Sequence, residues 1–273
     1  MDYKFIVSYI RVTRCLGSLI MPIIAFSISS NTNIIQLLIV SIIVVMYIAA
    51  TYSYNSIMDI KEDMDNPLHP KPFKFREPDV IVKSIPYMLF IWALLMSLFF
   101  TNLYSFTLFS FAVLLSILYS HFKIKRLFII KTMTVSFFYM ILFFSCYLAF
   151  SNYITQESLI TGVLVFILVF NYSVLSDIRD IEPDRKHNFS TIPTRYGFRF
   201  SKILVMCIFA LFNIIWAISY ILGIISLKLT IVFCMFLLFE VYLLYCLHIY
   251  AIEKINGIQG VSFVSMAIFL LLF

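Results

Sequence analysis

Long apolar runs, separated only by short polar breaks, recur along the whole chain and leave few folds open to it. A soluble domain needs a largely polar surface, and here 62% of 273 residues are hydrophobic while 12% are charged. Hydropathy sustained over the full length makes lipid the solvent. Each crossing of the hydrocarbon core takes about 20 apolar residues. The runs predict nine helices near 12–30, 34–56, 80–100, 103–121, 127–150, 157–177, 200–222, 227–250 and 256–273, the last short enough that a re-entrant end is the alternative. The expected fold class is all-α: a polytopic membrane protein with about nine transmembrane helices around a central cavity, forming one embedded domain over 1–273. The first apolar stretch lacks a small-residue cleavage site and is expected to remain as a membrane helix. The five Cys lie in or beside apolar runs without CxxC spacing, which implies neither disulfides nor zinc.

Charge sorts by side. With nine crossings, 19 of the 20 Lys and Arg fall on one face, and only Lys228 lies opposite. Positive residues mark the cytoplasmic side. The expectation is a multi-pass cell-membrane protein whose N-terminus and loops 57–83, 122–131 and 178–202 face the cytoplasm. Twelve of the fourteen acids share that face, leaving Glu157 outside and Glu240 within a span. Topology accounts for the cations, so the net charge of +6 calls for no nucleic acid. Lipid is the expected surrounding, and no obligate protein partner is evident.

Two acid clusters stand out on that face. Asn55, Asp59 and Asp63 close the second predicted helix at i, i+4, i+8, which stacks them on one helical face. Asp177 and Asp180 close the sixth at i, i+3, with Asp184 beyond Pro183. Proline cannot sit unperturbed inside a helix, so Asp184 is expected on a turn or a new helix start. The same 121-residue interval separates Asp59 from Asp180 and Asp63 from Asp184. Four crossings lie between them, so the chain reads as a parallel repeat with both clusters on one face. Stacked carboxylates repel by roughly a few tenths of a kcal/mol per pair, a cost that a cation offsets. Hard oxygen ligands suit Mg²⁺, which favours one or two carboxylates plus water and phosphate oxygens. The loop after Tyr119 carries Lys123, Lys125 and Arg126 with no acid, and Arg11 and Arg14 stand at the entrance of the first span. Metal-binding acids beside such cations fit a diphosphate, whose charge must be neutralised before it leaves.

These residues resemble the UbiA superfamily of intramembrane prenyltransferases. Asn55/Asp59/Asp63 is similar to that family's N-x-x-x-D-x-x-x-D motif, Asp177/Asp180/Asp184 to its D-x-x-D-x-x-x-D motif, and Tyr119/Lys123 to its Y-x-x-x-K motif. The stretch Asp184–Lys186 followed by Thr191–Gly197 also looks like the segment after the second acid motif. The resemblance implies nine helices and two Mg²⁺ ions held by the acid motifs and bridged by a polyprenyl diphosphate. It implies metal contacts from Asn55, Asp59, Asp63, Asp177, Asp180 and Asp184. Lys123 and an Arg of the first helix, Arg14 by position or Arg11, would grip the phosphates. Asn55, Tyr119, Lys71 and Arg185 join them as expected diphosphate contacts, and Asp59, Asp63, Asp180, Asp184 and Lys123 form the expected catalytic set. Ser56 stands where the family often has Asp, and Pro183 where it often has Gly.

The expected activity is Mg²⁺-dependent transfer of a prenyl group from a polyprenyl diphosphate to an acceptor, through an allylic carbocation. The acceptor is an aromatic, quinone-precursor-like ring or a glycerol-phosphate lipid, and the Phe and Tyr content supplies rings to shield the cation. An intramolecular terpene cyclase is one alternative, left open by Ser56. A secondary transporter built around Glu240 is another, since an ionisable group inside a span is functional by default.

Overall fold

The computed structural model describes residues 3–65, 72–73 and 77–248. The expected ninth helix at 256–273, together with Lys71, Lys74, Arg76 and Lys254, lies outside the described residues. Twelve α-helices run in the order α1 (Tyr3–Ile10), α2 (Val12–Ser18), α3 (Ile20–Ile28), α4 (Ile34–Met58), α5 (Ile60–Asp65), α6 (Val80–Phe100), α7 (Leu103–His121), α8 (Ile130–Phe150), α9 (Gln156–Arg179), α10 (Ile181–Lys186), α11 (Ile192–Ile221) and α12 (Leu227–His248). No strand occurs among the described residues. Seven helices are long and apolar enough to cross a membrane, and Val12–Ile28 is a shorter apolar segment. The chain is thus a multi-pass membrane protein: seven of the nine expected crossings are matched among the described residues by helices of spanning length, and the first by the shorter apolar segment Val12–Ile28.

The first crossing is the broken one, for a local reason. Pro22 has no N–H to give to the Ser18 carbonyl, and the hydrogen-bond ladder lapses at Leu19 between α2 and α3. At the end of the bundle away from the acid motifs, Asn33 caps α4 by accepting from the Ile35 and Gln36 amides, and Asn102 caps α7 by accepting from Ser105 N–H. The same short hairpins tie down the end of α8. Gln36 donates to the Ala149 carbonyl at 2.5 Å, and Asn102 donates to Leu148 O. Polar loop residues thereby satisfy backbone carbonyls that lipid cannot.

Helices α8 and α9 are the most enclosed, packed against α3, α4, α7 and α11 around Leu142, Phe143, Leu164 and Val174. Helices α6 and α11 turn most of their surface outward, with Phe99 and Ile221 largely exposed. Exposed apolar faces of this kind are stable only against lipid. The up-down order brings the C-terminal ends of α4, α7 and α9 to the same end of the bundle as the N-terminal end of α8. Both acid clusters therefore sit there.

Helix α1 lies outside the bundle proper. Phe5, Tyr9 and Phe73 form a ring cluster, and Tyr9 donates to the Val82 carbonyl at 2.8 Å. Burial pushes the Tyr9 hydroxyl well above the usual tyrosine range, so it serves as a neutral donor. This cluster docks α1 over the segment that carries the first acid motif.

Candidate active site

The two acid motifs are built alike. Asp59 ends α4 at φ −112°, ψ 18°, and Asp180 ends α9 at φ −97°, ψ 16°. Each then starts a one-turn helix, α5 or α10. The Asp63 amide bonds the Asp59 carbonyl at 2.8 Å, and the Asp184 amide bonds the Asp180 carbonyl at 2.9 Å. The repeated interval in the sequence is thus a repeated backbone geometry. Pro183 falls in the first turn of α10, where its missing N–H removes no helical bond. Asp184 accordingly lies on a new helix, as its position after proline predicts.

Four of the acids are nearly withdrawn from solvent. Asp63, Asp177, Asp180 and Asp184 are each under a tenth exposed. Buried carboxylates need partners, and the chain supplies cations. Arg11 Nη2 donates to Asp63 Oδ2 at 3.0 Å. Lys131 Nζ donates to Asp177 Oδ1 at 2.5 Å. Arg179 forks onto its neighbour Asp180, through Nε to Oδ1 at 2.7 Å and Nη2 to Oδ2.

The Tyr119 side chain joins the two halves. Lys131, Asp177 and Asp59 all lie within its electrostatic reach, so residues from α4, α7, α8 and α9 meet there. Ser120, beside it on α7, donates to Asn55 Oδ1 and orients the first residue of the first motif. A cavity of about 170 Å³ opens at this point, walled by Asn55, Tyr52, Tyr119 and, from α8, Thr134, Val135 and Tyr139. It runs from the polar end of the bundle toward Ile48 and Phe138.

The remaining expected residues are placed differently. Arg11, in the left-handed conformation at φ 51° between α1 and α2, reaches the first acid motif and stands over the Tyr52 ring. Arg14 is exposed and within electrostatic reach of Tyr139 on the cavity wall. Lys123, at φ 50°, turns the chain after α7 into the 3₁₀ turn Ile124–Arg126. Arg185 is exposed on α10 and makes no side-chain hydrogen bond or ion pair among the described residues. Ser56 is buried at 1% exposure with no hydrogen-bond partner for its hydroxyl. Glu240 accepts from Asn213 Nδ2 at 2.8 Å, joining α12 to α11 away from the acid motifs.

Motif reading passed over Lys131, Arg179 and Ser120. Arg179 sits between two motif aspartates in the chain, and Lys131 opens an apolar run, so each looked like an ordinary flanking cation.

Mg²⁺ fits this donor set. All the ligands on offer are hard oxygens, and Asp177 Oδ2 is buried without a hydrogen-bond partner. No three acids, His or Cys converge closely enough to hold an ion by themselves among the described residues. Such an arrangement suits an ion whose coordination is completed by phosphate and water rather than by a protein cage.

The model of the UbiA prenyltransferase family matches residues 16–250 of this chain. None of the curated proteins matches it. Among solved structures, the chain is similar to a UbiA homologue from Aeropyrum pernix K1 in its apo form, at 15% identity and a TM-score of 0.80, covering 95% of this chain and 97% of that one. A UbiA homologue from Archaeoglobus fulgidus bound to GPP and Mg²⁺ matches at 14% identity and a TM-score of 0.79, covering 98% and 100%. A digeranylgeranylglyceryl phosphate synthase matches at 23% identity and a TM-score of 0.68, covering 97% and 98%. At these identities the likeness to the solved structures is one of fold.

Proposed function

This chain belongs to the UbiA prenyltransferase family, and we propose that it moves a prenyl group from an allylic polyprenyl diphosphate to an acceptor nucleophile within the membrane. The observation that carries the reading is the meeting of both acid motifs beside Tyr119 at the mouth of a cavity. Asp59 and Asp63 from one motif and Asp177, Asp180 and Asp184 from the other would hold Mg²⁺, with Asn55 beside them. Two Mg²⁺ ions would suit a site whose acids come from two motifs, with the substrate diphosphate completing their coordination. Bound there, Mg²⁺ would neutralise the charge that builds on the leaving diphosphate.

The chain's own side chains do the rest. Arg11, Arg14 and Lys123 supply positive charge around the diphosphate. Arg185, on α10, would add to that charge, as would Lys71, which lies outside the described residues. The carbon–oxygen bond breaks with its electron pair going to diphosphate, and an allylic cation remains in the cavity. Tyr52, Phe138 and Tyr139 line that cavity and would shield the cation and help exclude water, which would otherwise capture it. An acceptor ring or hydroxyl then bonds to that carbon and releases its proton to the departing diphosphate. The loops bearing the site face the cytoplasm of the cell membrane, on the distribution of cations.

Ser56 keeps a second reading open. Its buried hydroxyl offers no acid at the position where the family often has Asp, and a cyclase needs no external acceptor. One experiment tests both. Purified protein with Mg²⁺ is given labelled allylic diphosphates of increasing length, with aromatic and glycerol-phosphate acceptors, and products are identified by mass spectrometry. A prenylated acceptor is the expected product. A cyclic terpene formed without acceptor would replace the transferase reading, and no diphosphate release from any donor would refute both.

A further inference from the structure

Lys131 opens α8, and the structure turns it inward. Its side chain is 20% exposed, and Nζ bonds Asp177 Oδ1, whose own side chain is 2% exposed. Asp184 and Tyr119 also lie within its electrostatic reach, which puts the ammonium between the second acid motif and α7. Removing an ammonium from water is costly, so it takes a charged partner where it is largely buried. Of its three N–H groups, one goes to Asp177, and it makes no other hydrogen bond among the described residues. Thr134 and Val135 follow at i+3 and i+4, on the same helix face, and both line the cavity opposite Asn55 and Tyr119. Lys131 therefore lies one helical turn from the cavity wall, with two donors that no described residue takes.

We infer that Lys131 is a further diphosphate-binding residue, held in place by its bond to Asp177. The inference rests on the proposed prenyl diphosphate site. A lysine ammonium binds phosphate as a compact point charge. A diphosphate oxygen can take an unspent donor without breaking the Lys131–Asp177 pair, so the site needs no rearrangement to use it. Between substrates the same ammonium keeps a positive charge beside the buried Asp177.

The test is calorimetric titration of inorganic diphosphate, with Mg²⁺ present, into detergent-solubilised wild type and variants. Lys131→Met should weaken diphosphate binding about ten- to a hundredfold, the loss of one charge-assisted contact. Lys131→Arg should retain most of the binding. Mn²⁺ used in place of Mg²⁺, and counted by electron paramagnetic resonance at saturating diphosphate, should stay at the wild-type number in Lys131→Met. Because that variant leaves Asp177 buried and unpaired, Lys131→Gln, which keeps a donor for Asp177 without the positive charge, is measured beside it, and both are checked by thermal unfolding. Wild-type diphosphate affinity in whichever of these folds would make the pair merely structural and overturn the inference. Asp59→Ala separates the two readings. If it loses binding while Lys131→Met keeps it, the proposed function stands and the role of Lys131 falls. A wild type that binds no diphosphate would sink both.

Discussion

Replacing Arg11 with alanine removes the cation that faces Asp63 at 3.0 Å, where the side chains are 16% and 8% exposed. At an effective dielectric of about 20, a pair at that distance gains about 5.5 kcal/mol of Coulomb energy. Desolvation of both groups offsets much of this, yet the variant leaves a buried carboxylate with the desolvation cost and without that partner. Contact with the Tyr52 ring adds about 0.5–1 kcal/mol. With Arg11 partly exposed, the net loss should be about 2–3 kcal/mol, below the 3–5 kcal/mol of a fully buried pair. For a chain of this size that corresponds to a fall of roughly 4–12 °C in unfolding temperature. The assay is thermal unfolding in detergent with and without Mg²⁺ and inorganic diphosphate. Under the proposed site, the ligands should stabilise Arg11→Ala more than wild type, because they replace the missing positive charge beside Asp63. An Arg11→Ala protein with the wild-type unfolding temperature and the wild-type response to Mg²⁺ would refute the reasoning.

Other outcomes follow from the same geometry. Asp59→Ala and Asp180→Ala should each lower turnover by several orders of magnitude, measured as diphosphate release; wild-type release by both would mean that the acids are misassigned. In a cysteine-free background, single cysteines at Asp79 and Lys186 should label only from the cytoplasm and one at Tyr153 only from outside, and labelling of position 153 from the cytoplasm would invert the topology. Gly197→Ala should destabilise the protein by about 1–3 kcal/mol although no atom lies within 4 Å of the added carbon, because φ 81°, ψ 171° is open essentially to glycine alone; an unfolding temperature equal to wild type would show that α11 can straighten there without cost.

Much of the molecule can be read from the order of residues because lipid imposes a simple rule. An apolar run long enough to span must be helical, since no water is available to satisfy its backbone. The boundaries of α4, α6, α7, α8 and α9 accordingly lie within a few residues of those the runs predict. The acid motifs were legible for a similar reason, because i, i+4 spacing is a local property and the 121-residue interval is simple counting. The lapse of the first crossing at Leu19 follows from Pro22, but its position depends on where α2 and α3 meet α4 and α8.

Partnership between distant side chains was decided by the tertiary structure alone. By position in the sequence, Arg14, with Arg11 as the alternative, is the expected phosphate ligand of the first helix. Docking of α1 through Tyr9 and Phe73 brings Arg11 onto Asp63, and a left-handed residue between two helices has no signature in an apolar pattern. Lys131 and Asp177 stand 46 residues apart and meet only because α8 and α9 run antiparallel. Helix formation answers to local composition and the solvent, so sequence alone determines it. Ion pairs across helices answer to how those helices rotate and tilt against one another, and that is settled by the packing of the whole bundle.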